Sequence, residues 1–456
     1  MKELEAARLI ETSRLKNVCD ALLDRSPATE TEVMVTETDS SLTRFANNGI
    51  HQNVSERNLG LRLRVVREGR TGVASANQLD DAAVADVLER ALTIASLQPP
   101  SEPVPMPAPA PLRPVNAWSE ATAGASPEER ADFVEAICRE SARNRLNAFG
   151  AVSTTAAQLA IANSHGLFSH HRSTQATASS VVMGESGSGY ADRAAVDVRE
   201  LDKEGLAAEV IDKARRNQAA TPVDPGTYEV VLEEYAVAEM LEFMNYTGFT
   251  ALALQEERSF MRLGEKIAAD SISIWDDGLD PSGLPAPFDF EGTPKQRVDL
   301  IVKGVANDVV YDQATAHRAG RRSTGHGLPA PNPDGPLPLN TFMASGDVPR
   351  SSLAAGIKRG IWITRFWYVR IVHPKASIIT GMTRDGTFLI EDGRITRPVK
   401  DVRFTDSALR ILEATEELSA GQRLVSEAEF YGRRFAYGVV CPALRASGFQ
   451  VTGQTV

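Results

Sequence analysis

Histidines, cysteines and carboxylates are the side chains from which metal and hydrolytic sites are built. Here they are scattered. The seven histidines are His51, His165, His170, His171, His317, His326 and His373, and none lies between His171 and His317. His165, His170 and His171 have the spacing H-x4-H-H, which matches no common structural zinc pattern and reads as surface or hairpin residues. The cysteines are Cys19, Cys138 and Cys441. Their odd number and wide spacing argue against a disulfide framework and fit a reducing compartment. Cys441 lies in the apolar run Tyr437 to Cys441. Alone it is a ligand without partners, and it reads as a small buried apolar residue.

Glu233, Glu234 and Glu239 are neighbouring carboxylates, and Glu234 and Glu239 are five residues apart. Hard cations usually take more oxygen ligands than two. Acidic residues at the start of a helix complement its dipole, and Glu239 and Glu242 can lie on its solvated face. The run Arg321-Arg322-Ser323-Thr324-Gly325-His326-Gly327 is a basic, glycine-containing loop. Backbone N–H groups and guanidinium in such a loop can receive a peptide carboxylate, which makes Arg321, Arg322 and His326 substrate candidates. A structural loop at a subunit interface is the equal alternative. Ser323 and His326 are too close to form a triad alone, and no G-x-S-x-G elbow occurs. Gly184 to Gly189 lacks the Lys-Ser/Thr of a phosphate loop and reads as a flexible hairpin.

Elements must carry these residues. Residues 5–24 have helical periodicity, 31–38 and 60–66 read as strands, and 81–97 as a helix, with Asn47-Asn48-Gly49 and Glu68-Gly69 as turns. Residues 99–115 are proline-rich and predict an extended surface connector. Ser126, Pro127 and Glu129 announce a helix running to about Arg143. Residues 148–200 alternate as antiparallel strands, 207–217 form a helix, and 222–226 mark a boundary. Beyond it the pattern predicts a strand over 228–232, a helix over 236–246 and a long β-rich region. Asp385-Gly386 and Asp392-Gly393 read there as hairpin turns. The fold class is α+β, with a mixed N-terminal domain over 1–220 and a larger, mainly antiparallel β-rich domain over 221–456.

With 456 residues, two or three domains are expected. A net charge of −11 repels phosphate backbones, so nucleic acid is not an expected partner. No apolar run reaches the roughly 18 residues of a membrane span. The N-terminal MKELEAARLIETSRLK has no apolar signal region, so a cytoplasmic location is expected.

Several segments together resemble the TldD/PmbA family. They are Thr43-Arg44-Phe45-Ala46-Asn47-Asn48-Gly49, Leu263-Gly264-Glu265-Lys266, Asp276-Asp277-Gly278, Phe288-Asp289-x-Glu291-Gly292-Thr293-Pro294, Ser323-Thr324-Gly325-His326, Thr364-Arg365-Phe366-Trp367-Tyr368, Asp385-Gly386-Thr387-Phe388 and Thr452-Gly453-Gln454. Their order and spread span nearly the whole chain. The resemblance implies a two-domain subunit that pairs with a second subunit around an enclosed chamber. One branch, TldD, is the metallopeptidase. It carries His-Glu-x-x-x-His on a helix and a distant cysteine, a three-ligand zinc site with a glutamate as general base. The other branch, TldE or PmbA, is its partner.

Against that pattern the motif falls at Glu242-Phe243-Met244-Asn245-Tyr246-Thr247. Glu242 and Thr247 stand where the metal histidines would, and Phe243 where the base would. Cys441 keeps the place of the cysteine ligand, and the resemblance makes it the one weak metal candidate. The resemblance therefore implies a TldE/PmbA-like subunit of a heteromeric metallopeptidase acting in peptide proteolysis or processing, without catalytic or metal residues of its own. Zinc is expected in a TldD-like partner, with a peptide as substrate. The alternatives are a self-sufficient hydrolase with a rebuilt site and a homodimeric peptide-binding protein. The aromatic run Phe366-Trp367-Tyr368 is a candidate for either an interface or a core.

Overall fold

The structure, a computed structural model, describes residues 9–102, 104–426 and 437–454. The fold is α+β, as expected, and is built on three sheets.

The first sheet contains, in spatial order, Arg70–Ala76, Gly49–Arg67, Glu30–Ala46, Asn147–Asn163, Phe168–Met183 and Ser188–Ala195, all antiparallel. Asn47 and Asn48 both adopt positive φ (49° and 60°), so Ala46 pairs with Gly49 across a two-residue hairpin turn. Strand alternation gives the sheet two different faces. Val33 and Val35 face the helices Thr12–Arg25 and Asp81–Leu97. On the same side, Phe45 and Val152 face Pro127–Arg143 and Lys203–Arg216. Two of these helices approach so closely that only glycine fits beneath them. A Cβ on Gly72 would lie 2.0 Å from the Ala91 carbonyl oxygen, and one on Gly189 2.4 Å from that of Val210. The opposite face, with Met34 and Ile161, packs on Leu167 and on Phe288 from the C-terminal half.

The helix expected over 5–24 runs from Thr12 to Arg25, and residues 5–8 lie outside the described residues. The helix announced by Ser126 is Pro127–Arg143 with a complete capping box.

In the C-terminal half, one sheet is ordered Val305–Ala306, Val298–Val302, Ile274–Asp276, Asn340–Met343, Gly438–Cys441, Arg423–Val425. The other contains Gly226–Leu232, Arg359–His373, Ile378–Glu391, Val402–Ser407 and Leu444–Gln454, whose pairings return to their starting point and close a ring. Most pairings are antiparallel. Two are parallel, Asn340–Met343 with Gly438–Cys441 and Arg359–His373 with Gly226–Leu232. The helix Glu234–Thr247 shares one core with both sheets. There Phe366, Phe404 and Phe449 stack with centroids 4.4, 5.4 and 6.3 Å apart.

Two expectations are corrected. Asp385-Gly386 is not a hairpin turn. Both residues have positive φ (56° and 130°), but they sit within the continuous strand Ile378–Glu391, where the register against Arg359–His373 shifts at Ile363/Arg365. The pair forms a bulge, which bends a strand without reversing it. Asp392-Gly393 is the true turn. The second correction concerns residues 256–358, which are largely irregular between short strands rather than continuous β-structure.

Phe404→Ala would open a cavity at the ring's aromatic stack and should lower unfolding free energy by about 3–5 kcal/mol, read as a reduced denaturant midpoint.

Candidate functional site

The strand Gly226–Leu232 runs directly into the helix Glu234–Thr247, which buries Ala236, Val237, Met240, Leu241 and Met244. Its half-buried face, with Glu239, Glu242, Phe243 and Tyr246, borders a cavity of about 400 Å³. Tyr190 and Asp192 from the first sheet, Arg365 and Trp367 from the ring, and Tyr437 complete the wall.

Every residue at the presumed metal position has other business. Cys441 is 0% exposed, and its Sγ donates to the Glu234 carbonyl oxygen at 3.3 Å. Burial, reinforced by Glu234 and Glu242, pushes its thiol well above the ordinary range, so it is held protonated. The Thr247 hydroxyl donates back along the helix to the Phe243 carbonyl at 2.8 Å. Glu242 accepts from the Tyr437 hydroxyl at 2.7 Å. Phe243 packs on the core. Zinc of the peptidase type needs a thiolate and imidazoles. A protonated thiol, a carboxylate, a phenyl ring and a hydroxyl do not fit it. Among the described residues, no three His, Cys, Asp or Glu side chains gather as a metal-holding group.

Glu233 precedes the helix but does not act as a solvated partner of its dipole. It is 3% exposed, and its carboxylate meets Lys213 Nζ at 2.7 Å, Arg350 at 2.8 Å and Trp362 Nε1 at 2.7 Å. These cations hold Glu233 below the usual carboxylate range despite burial. Arg350 also reaches Glu234 at 3.1 Å. Lys213 pairs in addition with Glu209 at 2.7 Å, and Glu209 with Arg193 and Arg423 at 3.0 Å each. Arg423 also contacts the Tyr235 hydroxyl. Asp192, fully buried, accepts from the Tyr190 hydroxyl at 2.9 Å, and burial pushes it up to about 6. The sequence offers no local signal for this grouping, because its members come from distant strands and helices and meet only on folding.

The basic loop does not converge on one point. Arg321 and Arg322 are exposed, and Arg321 is engaged bidentately by Asp308 at 2.7 and 2.8 Å while lying over the Tyr311 ring. His326 is buried, between Asp276 (2.8 Å) and Thr324 (2.9 Å). The three other clustered histidines also separate. His165 lies 3.3 Å from Glu30, His170 bonds Gln158 at 2.9 Å, and His171 sets its ring edge-on to Phe288. Of the aromatic run, Phe366 is core, whereas Trp367 and Tyr368 line the cavity and Tyr368 is exposed.

Two predictions follow from this burial. Burial raises Cys138 to about 11 and Cys19 to about 12, and Cys441 also stays protonated. The native protein should therefore react with no equivalents of a disulfide reagent at neutral pH, and with three once denatured. Lys213→Met strips a buried cation from Glu209 and Glu233 and should cost about 3–5 kcal/mol at neutral pH. Both carboxylates are held below their unfolded values. The stability they confer is complete above roughly pH 4.3 and is lost as pH falls from there through the depressed values. The gap between wild type and variant, read by urea unfolding, should therefore narrow toward acid.

Three family descriptions match the chain in order. PmbA/TldA metallopeptidase domain 1 matches residues 31–95, the central domain 121–218, and the C-terminal domain 225–453. Among curated relatives, a metalloprotease of Methanothermobacter thermautotrophicus is 26% identical over 227 residues, 49% of each chain. A metalloprotease TldD homolog of Haemophilus influenzae is 25% identical over 256 residues, 54% of this chain and 53% of that one. The chain thus spans about half the length of these relatives. The fold is similar to that of TldE from Thermococcus kodakarensis, with a TM-score of 0.87 at 20% identity, covering 96% of this chain and 100% of that one. It is also similar to a putative modulator of a DNA gyrase from Thermotoga maritima, with a TM-score of 0.82 at 19% identity and the same coverage. From residue 31 to residue 453 the matched domains follow one another in a single order, and the chain belongs to the TldD/PmbA metallopeptidase family.

Proposed function

We propose that this chain is a TldE/PmbA-type, non-catalytic subunit. In this reading it pairs with a TldD-like subunit that carries His-Glu-x-x-x-His and its zinc, and the two enclose a peptide substrate for proteolysis or processing. The observation that carries the reading is the helix Glu234–Thr247. Its frame and the adjacent cysteine strand are kept, while Phe243 replaces a base, Thr247 bonds its own helix and Cys441 holds its proton. A phenyl ring cannot accept a proton, and a buried thiol bonded to a carbonyl is a poor metal ligand. The cavity beside this helix, rich in tyrosines and charged groups, suits contact with an extended peptide.

A cytoplasmic location fits three free, buried cysteines. No helix among the described residues is long and apolar enough to cross a membrane.

Co-expression with a TldD-like protein, followed by size-exclusion chromatography and metal analysis, tests the reading. The expected outcome is a mixed complex that holds zinc and cleaves unstructured peptides, while the isolated chain does neither. Zinc and peptide hydrolysis in the isolated chain, both abolished by Cys441→Ala, would instead mean a self-sufficient hydrolase.

A further inference from the structure

The motif residues Asp276, Asp289, Glu291 and His326, far apart in the chain, meet beneath the first sheet. Of these, Asp289 and His326 line a second cavity, of about 110 Å³, that shares no lining residue with the one beside the helix Glu234–Thr247. Its walls include Leu159 and His171 from the first sheet and Phe288, Lys295 and His326 from the C-terminal half. At about 30 Å³ per water, this is room for a few waters or a molecule of a few heavy atoms.

The carboxylates around it are already satisfied by fixed donors. Asp276 accepts from His326 Nε2 at 2.8 Å and from the Asn340 N–H at 2.7 Å. Asp289 accepts from the backbone N–H groups of Glu291, Thr293 and Gly327 at 2.9, 2.9 and 2.7 Å. Lys295, 5% exposed, is left over. Its Nζ has no hydrogen-bond partner, and its paired carboxylate oxygen, on Asp276, is 4.0 Å away. A buried ammonium without an acceptor is costly, so an acceptor in the cavity would be strongly favoured.

His171 supplies the second unpartnered group. Its imidazole bonds the Pro285 carbonyl and must do so as donor, because a carbonyl only accepts. Its buried Nε2 has no partner. Burial, with His170 adding to it, lowers the ring to about 4, so at neutral pH Nε2 presents a lone pair. Among the side chains that line the cavity, Lys295 Nζ and His171 Nε2 are the buried polar atoms left without a partner, while Thr36, Thr38, Gln158 and Ser173 add polar groups beside the apolar Leu159 and Phe288.

We propose that this cavity is a binding site for a small neutral group with a carbonyl acceptor and an N–H donor, a primary amide. Lys295 would donate to its oxygen and His171 would accept from its nitrogen. A carboxylate would meet the His171 lone pair and the nearby Asp276 and Asp289 unfavourably. The same chemistry could arrive as a free small amide or as an asparagine side chain. The proposal rests on this cavity and not on the pairing of subunits.

The test is NMR titration of the full chain with propionamide, propionate and the tripeptide Gly-Asn-Gly. Propionamide should give saturable shifts, weakened at least tenfold in Lys295→Met and in His171→Phe, with propionate much weaker. Gly-Asn-Gly binding more tightly than propionamide would identify a peptide side chain as the source, and weaker binding a free amide. If Lys295→Met does not fold, His171→Phe alone carries the comparison. Equal binding of propionate, undiminished binding in folded variants, or no saturable binding of either amide ligand would overturn the proposal.

Discussion

The helix Glu234–Thr247, which borders the cavity of about 400 Å³, enters the fold through a buried carboxylate, Glu233. Removing that charge from water costs several kcal/mol unless its partners are complete. The partners come from both halves of the molecule. Lys213 lies on the helix Lys203–Arg216, packed on the first sheet, while Arg350 and Trp362 belong to the C-terminal half. Glu209 extends the network to Arg193 and Arg423. The two halves therefore cannot shift relative to each other at this point without exposing or orphaning charge. The same junction sets where the helix begins, and so where Glu234 offers the carbonyl that Cys441 bonds.

The cavity beside the helix Glu234–Thr247 follows from that junction. Tyr190 and Asp192 reach it from the first sheet, and Arg365 lies 4.0 Å from the Tyr190 ring centroid. Arg365 is itself paired with Asp385, the residue that the bulge in Ile378–Glu391 turns inward, and Asp385 also accepts from Ser188 at 2.6 Å. What reads locally as a turn signal thus serves as a cross-link between halves. Part of the wall is cross-linked: the Tyr190 hydroxyl donates to Asp192, Arg365 pairs with Asp385, and the Tyr437 hydroxyl donates to Glu242.

The absence of histidine from residue 172 to 316 is a property of composition, and no packing can supply what the chain lacks there. The capping box at Ser126, the Asn47-Asn48-Gly49 hairpin and the helix Asp81–Leu97 were also legible, because each rests on contacts between residues close in the chain. Asp385-Gly386 shows the limit of such reading. The same positive φ values serve a turn or a bulge, and the choice depends on whether a partner strand continues past the pair.

Sequence alone thus determined the α+β class, the local elements with strong caps and turns, and the absence of histidine from residues 172 to 316, since these depend on residue type and short-range spacing. Tertiary structure decided the rest. It closed the C-terminal strands into a ring, buried Glu233 among cations instead of leaving it at a solvated helix end, and separated Arg321 from His326. It also left Lys295 Nζ and His171 Nε2, on two residues that line one cavity, without a hydrogen-bond partner. These outcomes depend on which distant groups share a low-dielectric interior, and the cost of burying an unpaired charge or donor is set by neighbours that no local window of sequence contains.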